Sequence, residues 1–159
     1  MPFRPDVTVA AIVERDGRFL MVEERAARRI VFNQPAGHLE RNEDLIQAVI
    51  RETLEETGYL LAPQAVTGVY LWPHPGADRT FLRVAFCGNA SGPDPARRLD
   101  RCIVRVRWMT REQLVARPNA LRSPLVLRCI DDYLSGARHP LSLLSSLIVP
   151  DAPAGADAG

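Results

Sequence analysis

The chain predicts an α+β layered domain. Three features carry that expectation. Short apolar, β-branched runs with turn signals between them fill the first third of the chain. One charged helix interrupts them. More strands and a C-terminal amphipathic helix follow. With 159 residues, 47% of them apolar and 25% charged, the composition is that of an ordinary soluble domain with a real core. Residues 1–149 are expected to form that single domain. Residues 150–159, small and rich in Pro, Gly and Ala, are expected to be a disordered tail.

Val7 to Val13 reads as a strand buried on nearly both faces. Asp16-Gly17 is a hairpin turn signal, and Phe19 to Val22 returns as the second strand. Glu23 to Arg29 reads as a charged connection and Ile30 to Phe32 as a short strand running into Asn33-Gln34-Pro35-Ala36-Gly37. After the helix, Pro63 and Gly68 punctuate, and Val66 to Trp72 is a strand. Pro73 to Asp78 is a loop. In the next strand, Thr80 to Cys87, Phe81, Arg83 and Ala85 share one face while Leu82, Val84 and Phe86 share the other. Gly88 to Arg98 is expected to be a mobile loop, and Ile103 to Met109 an antiparallel strand with one wet face. Thr110 and Gln113 make a capping box that opens a short helix. Ser123 as N-cap, Pro124 after it and Gly136 as the stop bound an amphipathic helix whose stripe is Leu125, Val126, Cys129, Ile130 and Tyr133. Pro140 to Val149 reads as a further helix packing back on the domain.

The charged helix carries the chemistry. Asn42 reads as its N-cap, Glu43 and Asp44 put negative charge in its first turn, and Gly58 ends it at about Thr57. At about 100° per residue, Glu56 falls roughly 40° to one side of Glu52 and Glu55 roughly 60° to the other. Arg51 lies beside them, and Ile46, Ile50, Thr53 and Leu54 are expected to form the buried side. Like charges four residues apart destabilise a helix by a few tenths of a kcal/mol. Folding gives no reason for such a cluster, whereas a hard divalent cation such as Mg²⁺ takes oxygen ligands and shares them with phosphates. A plain solvated charged face is the competing explanation.

The wider pattern decides between the two. Gly37, Glu43, Arg51, Glu52, Glu55, Glu56 and Gly58 stand at the spacing of the Nudix signature, and the stretch resembles the Nudix hydrolase family at each of those positions. The one departure is Thr53, where the family has an aliphatic residue. The resemblance implies an α/β/α sandwich with a mixed sheet and the signature loop-helix-loop. It implies Mg²⁺, with Mn²⁺ as an alternative ion, held by Glu52, Glu55 and Glu56 with the Gly37 carbonyl as a further ligand. Glu43 and Arg51 would support the helix and orient the glutamates, which puts Arg51 with Glu52 and Glu55 in the catalytic group. Glu55 is the expected general base. A glutamate common before Trp108 in the family is replaced by Arg105 and Arg107, which leaves Asp100 as the nearest acidic substitute.

Further segments resemble one branch of the family: Asn33 to Glu40, Thr80 to Arg83, Leu121 to Val126, and Tyr133 to Gly136 with Pro140-Leu141. That branch comprises phosphatases of nucleoside di- and triphosphates, hydroxymethylpyrimidine pyrophosphate and thiamine pyrophosphate. Arg83 and Arg122 are candidates to clamp phosphate oxygens, with a structural salt bridge as the alternative. Arg29 occupies the place of a family basic residue, with a plain solvated arginine as the alternative. Trp72 and Phe32 are candidates to stack on a base, with a core position as the alternative. Pro73 and Pro75 lie near a weak marker of ADP-ribose pyrophosphatases, the rival enzyme reading. A non-catalytic nucleotide-binding regulator is the rival of another class, disfavoured because every signature glutamate is kept.

The expected partner is a small phosphorylated molecule. A net charge of +1, without a basic stripe, argues against nucleic acid, and no run reaches membrane-spanning length. Arginine supplies all 20 basic residues. Cys87, Cys102 and Cys129 are expected to be buried reduced thiols in a cytoplasmic protein, a monomer or homodimer.

Overall fold

The computed structural model describes residues 2–148. The expected tail at 150–159 lies outside the described residues, as does the end of the Pro140–Val149 segment. The strands of two sheets interleave along the chain. β1 (Asp6–Ile12) leads through β2 (Glu14–Arg15) and a turn at Asp16-Gly17, both with positive φ, into β3 (Arg18–Ala26). That pair of left-handed residues is the hairpin geometry the Asp-Gly signal encodes. β4 (Arg29–Asn33) folds back on β3, and β5 (Ala36–His38) lies antiparallel to β1. After α1 (Leu45–Thr57), β6 (Leu60–Pro73) and β7 (Thr80–Ser91) form a long hairpin, and β8 (Ile103–Thr110) pairs with the free side of β3. α2 (Arg111–Val115) and α3 (Leu125–Leu134) follow.

The first sheet has the order β5-β1-β7-β6 and is mixed, since β1 and β7 run parallel. The second is antiparallel and holds β2, β3, β4 and β8. One core cluster joins the first sheet to α1 through Val9, Val49, Val84 and Phe86. The other joins the opposite face to α2 and α3 through Ile12, Ala85, Leu114, Val126 and Ile130. This is an α+β sandwich, as predicted, with alternate residues of β7 feeding opposite cores.

Several boundaries move. The N-cap of α1 is Asp44, not Asn42: the Asp44 side chain accepts from Gln47 N, and the Gln47 side chain accepts from Asp44 N in return. Asn42 instead takes a positive φ of 64° in the preceding turn, so Glu43 and Asp44 precede the first turn rather than occupying it. The buried face of α1 is Ala48, Val49, Glu52, Thr53, Glu56 and Thr57, whereas Ile46, Ile50 and Leu54 are only half-buried. Two of the three glutamates therefore face inward. β3 continues through Glu23 to Ala26, where a connection was expected. β6 runs straight through Pro63 and Gly68, because bulges at Pro63/Ala65 and Val66/Gly68 absorb both breakers. β7 likewise takes in Gly88 to Ser91, the start of the expected mobile loop.

The Thr110–Gln113 capping box forms as predicted. Helix α3 begins one residue later than Ser123-Pro124 suggested, with Pro124 at the cap position and Ser123 Oγ accepting from Leu125 N. Gly136 follows its end with φ 91°. After Pro140 the described residues hold one 3-10 turn, Leu141–Leu143, in place of the expected helix. Cys87 and Cys129 are buried, but Cys102 is exposed at the turn before β8.

Candidate active site

Helix α1 lies against β1 and β5 and presents Glu52 and Glu56 to them, 9% and 5% exposed. β5 is the wall they meet. Val9 pairs with Gly37 in the register, and the Glu52 carboxylate lies directly on the Gly37 Cα. A Cβ at residue 37 would occupy the space of that carboxylate, so the glycine serves close approach rather than a turn, and any larger residue would displace Glu52. Next to it, Ala36 N donates to Glu56 Oε2 at 3.1 Å.

Arg51 organises the outer side. Its Nη1 donates to Glu52 Oε1 at 2.9 Å and to Glu55 Oε2 at 3.1 Å. Its Nε and Nη2 grip Glu43 at 2.8 and 2.7 Å, a bidentate fork, and Nη2 also reaches the His38 carbonyl at 3.0 Å. Glu43 is held below the usual carboxylate range by that fork. The opposite holds for the inward pair. Burial pushes Glu52 up, against the pull of Arg51. Burial pushes Glu56 well above the ordinary value, and the nearby charges of Glu24, Glu52 and Asp100 add to it.

Asp100 and Glu24 complete the acid set. Asp100 N donates to the Glu55 carbonyl at 3.1 Å, which ties the turn before β8 to α1. Among the described residues, Glu52, Glu55 and Asp100 each place a carboxylate oxygen within 4.8 Å of the others. Glu56 lies deeper and stands outside that trio. Glu24, 8% exposed at the end of the buried run of β3, accepts from Asn33 Nδ2 at 3.3 Å and lies 3.8 Å from Arg122 Nη1. Sequence reasoning missed Glu24 because Glu23–Arg29 reads as a connection. The available signal was its period of two with Leu20 and Val22.

A cavity of about 680 Å³ opens between the sheets over these groups. Glu24, Gly37, Glu52 and Glu56 line one part of it, and Arg83, Arg122 and Ser123 another. The register of the first sheet orders its floor. His38, Thr8, Arg83 and Tyr70 form one row across β5, β1, β7 and β6, and Asp6, Phe81 and Trp72 form the next. Trp72 and Phe81 stack with centroids 5.7 Å apart at 22°, and His74 is 5.2 Å from Trp72. Arg29 also lines the cavity, but its guanidinium donates to the Asn119 carbonyl and fastens the 118–120 turn beside β4. Phe32 is not brought to the cavity. Val31 and Asn33 face it, so the residue between them points the other way and packs against the α2/α3 core.

The donor set fits a divalent cation. It consists of hard carboxylate oxygens, buried well enough that ionisation is resisted in the absence of a counter-charge.

A NUDIX domain model matches residues 2–128, and the chain belongs to the Nudix family; it is a Nudix hydrolase. Phosphatase NudJ of Escherichia coli K12 is 41% identical over 149 residues, which span 93% of this chain and 95% of that protein. The NudJ of Shigella flexneri matches to the same extent. Among solved structures, a NUDIX hydrolase from Nitrosomonas europaea superposes with a TM-score of 0.88 at 45% identity, covering 90% of this chain and 97% of its own. The NUDIX domain of Shewanella oneidensis NrtR, complexed with ADP ribose, shares 17% identity at a TM-score of 0.66 over 83% of this chain and 90% of that one. It shows the fold alone.

Proposed function

We propose that this chain is a Mg²⁺-dependent phosphatase of diphosphates, acting on nucleoside di- and triphosphates and on hydroxymethylpyrimidine or thiamine pyrophosphate. The observation that carries it is the inward-facing pair Glu52 and Glu56 against the Gly37 backbone, beside the Glu55–Asp100 group. Similarity to phosphatase NudJ across nearly the whole chain supports the substrate class.

Glu52, Glu55, Glu56 and the Gly37 carbonyl would hold the cation, with Asp100 added by its place in the acid group. When bound, Mg²⁺ supplies charge neutralisation of the diphosphate and a more acidic water. The protein's own groups do the rest. Arg51 fixes Glu52 and Glu55 in one orientation. Glu55, 34% exposed at its side chain and within reach of solvent, takes the proton of the attacking water. The stacked Trp72 and Phe81 at the mouth of the cavity hold the heteroaromatic part of the substrate. Arg122, beside Glu24, sits where a phosphate oxygen would enter. Phosphoryl transfer asks the protein mainly for positioning and charge stabilisation, which suits a site of this composition. Residues 1–149 acting as one cytoplasmic domain, monomeric or homodimeric, belong to the same reading.

A substrate panel tests it. GTP, ADP, thiamine pyrophosphate, hydroxymethylpyrimidine pyrophosphate and ADP-ribose are compared, with orthophosphate and pyrophosphate release measured separately. Orthophosphate from the diphosphates is expected. Turnover of ADP-ribose alone overturns the reading.

A further inference from the structure

Arg83 is a buried cation without a counter-ion among the described residues. It sits mid-strand in β7 and is 6% exposed. Its Nη1 donates to Gln34 Oε1 at 3.2 Å and its Nη2 to Asn33 Oδ1 at 3.4 Å, both neutral amides. Its Nε–H is buried and has no partner among the described residues. It takes part in no ion pair among them. Cys129 is beside it, and burial raises that thiol against the pull of Arg83. Glu24 is reached only through Asn33, whose Nδ2 donates to it. An isolated buried charge is strongly unfavourable unless something compensates it. Stability alone does not account for placing one here.

The surroundings are built to keep the guanidinium in place. Gln34 is 1% exposed and is anchored by its Nε2 donating to the Val126 carbonyl at 2.7 Å. Arg83 nevertheless lines the cavity, in the floor row with Thr8 and His38. That row sets it two strands from β5, roughly 10 Å from the strand that meets the Glu52 carboxylate. The aromatic pair Trp72–Phe81 lies one row further out.

We propose that Arg83, held by Asn33 and Gln34, is an anion subsite that receives a phosphate oxygen on the side of the cavity away from Gly37. The subsite deepens the phosphatase reading and rests on it. It gives the diphosphate two anchors, one at the carboxylates and one at the guanidinium, and so sets the direction in which the substrate lies. It also selects for a ligand that still carries negative charge beyond the group at the carboxylates.

The test needs no turnover. The arginine Nε–H signals of the wild-type protein are followed by NMR in chelator, with inorganic phosphate or ADP added and chloride as the ionic-strength control. One protected signal, absent in Arg83→Lys, is expected to shift saturably with phosphate and with ADP but not with chloride. Arg83→Lys keeps the charge and loses the fork. Its phosphate affinity is expected to fall about tenfold, the equivalent of one charge-assisted hydrogen bond. A wild-type Arg83 signal unmoved by either ligand overturns the proposal, whether or not the lysine variant folds. Phosphate binding by Arg83→Lys equal to wild type overturns it as well. A response to phosphate alone places the released product there; a response to both places the substrate. Failure of the substrate panel would leave this binding result standing, and failure here would leave hydrolysis standing, so the two claims separate.

Discussion

Glu56 is a carboxylic acid placed where water is scarce. Burial and three neighbouring carboxylates hold its proton on well above the ordinary value. The folded state therefore binds a proton that the unfolded chain releases, and stability of the cation-free protein falls as pH rises above the ordinary carboxylate range. Denaturation in chelator from about pH 5 to about pH 8 is expected to show that loss, and Glu56→Gln to flatten it while abolishing turnover. Gly37 makes the complementary case. Gly37→Ala puts a methyl where the Glu52 carboxylate lies. It is expected to cost about 1–3 kcal/mol in urea denaturation and to weaken cation binding about 10–100-fold by calorimetry. The identity of both residues was legible in the sequence. Their contact was not, because nothing local says that β5 passes under the helix.

Helix α1 carries those side chains, and its entrance sets their angle. Asp44 and Gln47 close a reciprocal cap, and Asp44→Ala is expected to lower stability by about 1 kcal/mol with Glu52, Glu55 and Glu56 unaltered. A drop in melting temperature, with turnover unchanged at low temperature, checks it. The wheel drawn from sequence put Glu52, Glu55 and Glu56 on one face of α1 and the buried side on another. Amphipathicity assigns polar residues to solvent, and here Glu52 and Glu56 lie on the buried face beside Val49. The strands show the reverse difficulty. Pro63 and Gly68 are breakers by local rule, yet β6 continues through both, each paired with a residue of β7 and each flanking a bulge. A Cβ at Gly68 would run into the outer end of the Tyr70 ring, which would have to move.

The whole molecule makes the site from both sheets. Glu52 and Glu56 come from α1, Gly37 and Arg83 from the mixed sheet, Glu24 from the antiparallel one and Asp100 from the turn before β8. The fold class and the acidic helix were readable from periodicity and spacing. Glu24, the placing of Asp100, and the turning of Phe32 away from the cavity depend on pairings between distant strands, which no local pattern encodes. The same pairings make Arg83 a buried row-mate of Thr8 rather than a surface arginine. The most direct measurement is the Mg²⁺ dependence of orthophosphate release from ADP, for the wild type beside Glu52→Gln. Saturable dependence on the cation is expected in the wild type. In the variant the loss should exceed the roughly 10–100-fold typical of outer-shell changes, with the fold intact by circular dichroism. Release that needs no cation, or a variant as active as the wild type, would contradict the account.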